Sequence, residues 1–114
     1  MLPQRYKIKG KAVLTLVFER GKRVKLETRS PFSLRYIKRA AGGPKFAIAI
    51  PSQLKLKAVS RNKTRRRLFE AIRLNLPFTN GKNCDIVITV HRQLDAFDFE
   101  DIQAIFKSLI EKIT

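Results

Sequence analysis

Between Lys55 and Arg73 the chain carries eight Lys and Arg side chains against a single acid, Glu70. At 100° per residue, Arg61, Asn62, Arg65, Arg66, Phe69 and Arg73 gather on one flank of a helix, and Lys63 and Arg67 add charge to the same segment. Guanidinium forks match pairs of phosphate oxygens, an amide reaches sugar or base edges, and an aromatic ring can stack on a base. This chemistry recognises a phosphodiester backbone and does not cleave one. A solvated charged face usually mixes signs, whereas a clustered basic stripe is the footprint of a nucleic-acid surface.

These groups need a helix to carry them. Thr64, Leu68, Ala71 and Ile72 fall on one face and are expected to meet a core, and Ser60 is placed to cap the helix N-terminus. Residues 1 to 10 read as an extended basic arm. The apolar run Val13 to Phe18 suits a helix that stops at Gly21. Val24, Leu26 and Thr28, then Phe32, Leu34 and Tyr36, alternate with polar or charged residues as strands do. Ala40 to Pro44 is a turn, and Phe46 to Ile50 suits a central strand ending at Pro51. Leu76 to Asn83, with Pro77 and Gly81, is expected to be a loop, and Asp85 to Val90 a strand. A final helix capped by Asp98 presents Ile102, Ile105, Phe106, Leu109, Ile110 and Ile113 to the sheet. The expected fold class is therefore α/β: a small two-layer sandwich with a mixed sheet of about four strands and three helices.

A chain of 114 residues, 44% hydrophobic with ten Phe and Tyr, is long enough to bury the core of a single domain, 1–114. Its formal charge of +16 is unevenly spread. Up to Asn83 there are 22 basic residues and three acids; from Cys84 on, three basic residues and six acids. One side is thus suited to a polyanion and another turned away from it. No stretch has transmembrane length, no signal peptide is visible, and the lone Cys84 excludes an internal disulfide. A cytoplasmic location is expected, with no membrane and no obligate protein partner.

No catalytic centre is legible. Asp95, Asp98, Glu100 and Asp101 are close in sequence, but acids are expected at a helix N-terminus from capping and the dipole. His91, the only histidine, reads as a surface residue at a strand end, and Cys84 as a buried structural thiol. Gly42 and Gly43 precede a strand, so they read as a turn and not as a phosphate loop. A helix-turn-helix reader of DNA lacks a second helix or dimer seam. A ribosomal protein or assembly factor accounts for size and charge equally well.

Ala58 to Arg73, with Ala58-Val59, Arg61-Asn62-Lys63, Arg65-Arg66, Leu68, Glu70 and Arg73, resembles the bacterial ribonuclease P protein subunit. Leu2-Pro3 followed by Lys7-Ile8, Val17-Phe18 ahead of Gly21, and Asp85-Ile86-Val87-Ile88 extend the resemblance nearly end to end. The chain departs from the family pattern at Lys63 and Phe69, where arginine is usual, and at Leu14, which replaces an aromatic. Pro51-Ser52-Gln53 also stands where a Ser-Lys-Lys segment is usual. The resemblance implies a left-handed βαβ crossover and a place beside a catalytic RNA that removes the 5′ leader of precursor tRNA, with chemistry belonging to that RNA and its Mg2+ ions. It implies that Arg61, Asn62, Lys63, Arg65, Arg66, Arg67, Arg73 and Lys57 bind RNA. It further implies a leader cleft between the first helix and the sheet, for which Leu14, Phe18 and Arg35 are the candidates, with Lys57 a further source of charge. No protein catalytic residue and no dedicated protein metal site are expected.

Overall fold

The computed structural model describes residues 3–24, 30–79, 81–95 and 97–113. Strand alternation decides how its layers form. In β2 (Phe32–Lys38), Phe32, Leu34 and Tyr36 point to one side and are buried, while Arg35 and Ile37 point to the other. β4 (Cys84–Val90) pairs antiparallel with β2, setting Leu34 opposite Ile88, and pairs parallel with β3 (Lys45–Ala49), setting Ile48 opposite Ile88. β1 (Lys22–Val24) completes a four-stranded mixed sheet in the order β1-β2-β4-β3. Leu26 and Thr28, expected in the first strand, lie outside the described residues.

Two helices cover one face. α2 (Ala58–Leu74) buries Thr64, Leu68, Ala71 and Ile72, the stripe anticipated from its periodicity. α4 (Phe99–Glu111) buries Ile102, Phe106, Leu109 and Ile110. These side chains join Phe32, Leu34, Phe46, Ile86 and Ile88 in one core, where the rings of Phe46 and Phe106 meet at 6.1 Å and a 55° tilt. α1 (Lys11–Arg20) packs against β2 and β4 on the opposite face, where Val17 and Val87 are fully buried outside that core.

Four local expectations differ from the structure. The Phe46 run is not central: β3 is an edge strand of the four-stranded sheet. Its apolar side chains Phe46 and Ile48 face the core under the helices, and part of its free edge is paired. The segment from Pro3, which forms a 3-10 turn at Gln4–Tyr6, runs on beside it, with Lys7 bridged to Phe46 and the Ile8 amide donating to Phe46 O at 2.9 Å. α2 starts before Ser60, with Lys57 at the cap position and no side chain capping there. The Arg61 amide closes the first turn on Lys57 O, and the Arg61 guanidinium braces the incoming chain at Leu56 O and Ile50 O. Leu76–Thr79 is a helical turn, α3, not loop; Pro77 is tolerated because a first-turn N–H has no helical partner to lose. Gly21 follows α1 with an ordinary φ of −70°, so it is not required for a left-handed cap. A Cβ there would stand 2.3 Å from Val17 O, which is why the position needs glycine.

Candidate nucleic-acid interface

Because α2 buries a narrow stripe, much of the rest of its circumference faces out. Asn62, Lys63, Arg65 and Arg66 are all exposed, and with Lys7 and Phe69 they line an open trough of about 1240 Å³. Phe99, at the start of α4, also lines it. Lys57 is exposed at the head of the helix. In this cationic surface Glu70 is the acid, and Arg73 answers it: Arg73 Nε donates to both carboxylate oxygens at 3.1 Å. Those hydrogen bonds hold the Glu70 carboxyl below the usual carboxylate range.

The basic residues of α2 are not equivalent. Arg67 turns toward the loop before α4, where its guanidinium donates to Leu94 O at 2.9 Å and to Phe97 O. Arg61 is engaged with Leu56 O at 3.3 Å and Ile50 O at 3.2 Å. Both are half-buried, so part of their donor capacity holds the fold. Asn62, Lys63, Arg65 and Arg66 remain outward. Phe69 is neither solvent-stacked nor lost in the interior: it packs against the core and carries the Lys7 ammonium 4.9 Å from its ring centroid. Lys7, absent from the sequence-derived candidates, is therefore part of this surface. Nothing in its local spacing signals that, since the arm reaches α2 only through the β3 edge.

A second cationic face lies across the sheet, beside α1. Arg35 projects there and donates through Nη1 to Phe18 O at 2.8 Å. Phe18 is 40% exposed and Leu14 half-buried, so the ring has a free face. Arg23 stands opposite Arg35 in the β1–β2 ladder and shares this side. Ser33 and His91 belong to it as well, Ser33 Oγ lying 2.6 Å from His91 Nε2. Sequence reasoning missed Arg23, Ser33 and His91 as neighbours of Arg35, although strand parity puts 33 with 35. Partial burial and then the charges of Arg23 and Arg92 push the His91 pKa down. The structure thus brings Leu14, Phe18 and Arg35 to one face, and leaves Lys57 at the head of α2, in the opposite layer.

Asp95, Asp98, Glu100 and Asp101 are exposed around the start of α4, and among the described residues no group of three His, Cys, Asp or Glu could hold a metal ion. Cys84 is buried, and burial raises its thiol pKa despite the nearby charges of Lys38, Lys82 and Arg39. Among the described residues no helix is long and apolar enough to cross a membrane.

A family model described as Ribonuclease P matches residues 2–114. The ribonuclease P protein component of Rippkaea orientalis (strain PCC 8801 / RF-1) is 30% identical, the match covering 97% of this chain and 88% of that one. Among solved structures, a ribonuclease P protein from Thermotoga maritima superposes with a TM-score of 0.82 at 23% identity, over 95% of this chain and 97% of that one. One from Staphylococcus aureus gives 0.68 at 21% identity, over 93% of each chain. Both structures share the fold described above.

Proposed function

The chain belongs to the ribonuclease P protein family, and we propose that its two cationic faces divide the labour of a leader-removing ribonucleoprotein. The outward face of α2 docks on the catalytic RNA: Asn62, Lys63, Arg65 and Arg66 contact phosphates and sugars, with Lys57 extending the charge. Arg61 and Arg67 hold the geometry of that face and lend their remaining donors. Arg73 adds charge while pairing Glu70. The face beside α1 takes the single-stranded 5′ leader of precursor tRNA. There Phe18 offers a ring for stacking, Leu14 apolar contact, and Arg35 a charge for the backbone.

The observation that carries this reading is the unequal distribution of cations. Four polar or basic side chains of α2, Asn62, Lys63, Arg65 and Arg66, stay outward along one trough, while four of the six acids from Cys84 onward, Asp95, Asp98, Glu100 and Asp101, lie around the start of α4, next to Phe99. In the proposed complex the protein binds and orients RNA and supplies no proton-transfer group. The metal-assisted hydrolysis chemistry would come from Mg2+ held by the RNA, as membership of the family implies. Charge on the protein lowers the repulsion between two RNAs that must approach each other. The cytoplasm, where precursor tRNA is made and matured in bacteria, is the proposed site of action.

The test is cleavage of a precursor tRNA by a bacterial ribonuclease P RNA at low magnesium, with and without the protein. Marked stimulation that Arg65→Ala abolishes is the expected result. Tight RNA binding without stimulation by any bacterial ribonuclease P RNA would instead point to a general RNA-binding module.

A further inference from the structure

The docking face contains a group contributed from outside α2, and its placement depends on an aromatic ring. Lys7 lies in a segment that is already ordered: its amide donates to Gln4 O at 3.0 Å, Ile8 is bonded to β3, and Tyr6 packs against the core. From this anchored backbone the Lys7 ammonium reaches over the face of Phe69, 4.9 Å from the ring centroid. Phe69 is fixed in turn, because its ring packs against the core while lining the same trough as Lys63 and Arg66.

We infer that Lys7 is an RNA-backbone contact of the α2 trough and that Phe69 is its positioning residue. This rests on the docking role proposed above for α2. A ring face attracts an ammonium electrostatically without consuming its N–H groups in a short hydrogen bond, so Lys7 keeps donors for a phosphate oxygen. The side chain of a free lysine samples many rotamers and must be ordered on binding. Here the arm and the ring have already done much of that, which favours affinity through preorganisation. The occupant we assign is the phosphodiester backbone of the structured RNA that α2 docks on. Four cations lining one open trough, Lys7 with Lys63, Arg65 and Arg66, suit a backbone track better than an isolated anion.

The experiment measures affinity of the full chain for a bacterial ribonuclease P RNA transcript between about 50 and 200 mM salt. Lys7→Gln should weaken binding and flatten the salt slope by about 0.7–0.9, the change for one lost phosphate contact. Phe69→Leu, which keeps apolar packing, should weaken binding as well. In the double variant Phe69→Leu should add little, because the ring acts through Lys7. Phe69→Arg in the Lys7→Gln background should restore the slope by putting a cation at the same edge of the trough. An unchanged slope in Lys7→Gln, with wild-type binding intact, overturns the inference alone. A full additional loss from Phe69→Leu on top of Lys7→Gln does the same for the positioning role. A wild-type chain whose binding ignores salt overturns the docking reading itself, and this inference with it.

Discussion

Arg35 Nη1 donates to the backbone carbonyl of Phe18 at 2.8 Å, tying β2 to the last turn of α1. The bond joins two residues 17 positions apart, and it links the wall that carries the partly exposed Phe18 ring to the floor that carries Arg35. Arg35→Met keeps an apolar stem and removes the donor. It should cost about 0.5–1.5 kcal/mol in urea unfolding, the usual net value of one hydrogen bond. It should also weaken affinity for precursor tRNA with a leader, while affinity for mature tRNA stays unchanged. Equal losses for both RNAs would confine Arg35 to bracing α1.

Neighbouring arginines of α2 should separate cleanly. Arg65 is exposed, and Arg65→Ala should lower RNA affinity with unfolding within about 0.5 kcal/mol of the parent, as for most surface substitutions. Arg67→Met removes the charged donor from Leu94 O and Phe97 O and should destabilise by about 1.5–3 kcal/mol. Paired measurements of urea unfolding and RNA affinity decide it. A stable Arg67→Met chain that loses RNA would mean the guanidinium leaves those carbonyls when RNA binds.

That division was beyond the reach of sequence, and the reason is physical. The stripe Thr64, Leu68, Ala71 and Ile72 is legible because helix periodicity is a local property. The same holds for α4 and for the apolar run that forms β4. Whether a guanidinium points to solvent or to a carbonyl depends on residues far along the chain: Leu94 for Arg67 and Ile50 for Arg61. The place of β3 is hidden for a related reason: Phe46 and Ile48 are apolar because they face the core, which an edge strand does as well as a central one. The charged flank itself was readable in composition, but Lys7 reaches it only through tertiary structure.

Gly21→Ala tests a close approach that owes nothing to backbone handedness. With φ at −70° the alanine has an allowed conformation, yet its Cβ would stand 2.3 Å from Val17 O and 3.2 Å from Tyr36 O. Relieving that overlap must displace residue 21 from the last turn of α1 and disturb its N–H bond to Val17 O. The expected cost is about 1–3 kcal/mol, typical of forced overpacking, measured by urea unfolding. Because α1 also forms the wall bearing Phe18, affinity for the leader should fall in the same variant. An alanine chain as stable as the parent would show that the turn has room to give.

His91 makes stability depend on pH with a definite sign. Burial first, then Arg23 and Arg92, hold its folded pKa below the ordinary value of 6.5. Around and below 6.5 the unfolded chain therefore binds more protons than the folded one, and stability falls as pH falls. The contribution is complete above about 6.5 and is lost as pH drops through the lower folded value. Protonation also forces Nε2 to donate to Ser33 Oγ, 2.6 Å away, so that contact persists only if the hydroxyl accepts. His91→Gln, which keeps a polar partner for Ser33, should flatten this segment of the urea-stability profile. RNA binding should pull the other way: phosphates beside Arg23 and Arg92 would raise the His91 pKa, and the complex would take up protons on forming near pH 6. Isothermal titration in two buffers of different ionisation enthalpy measures that uptake. If neither the stability slope nor the proton count changes in His91→Gln, the titrating group lies elsewhere.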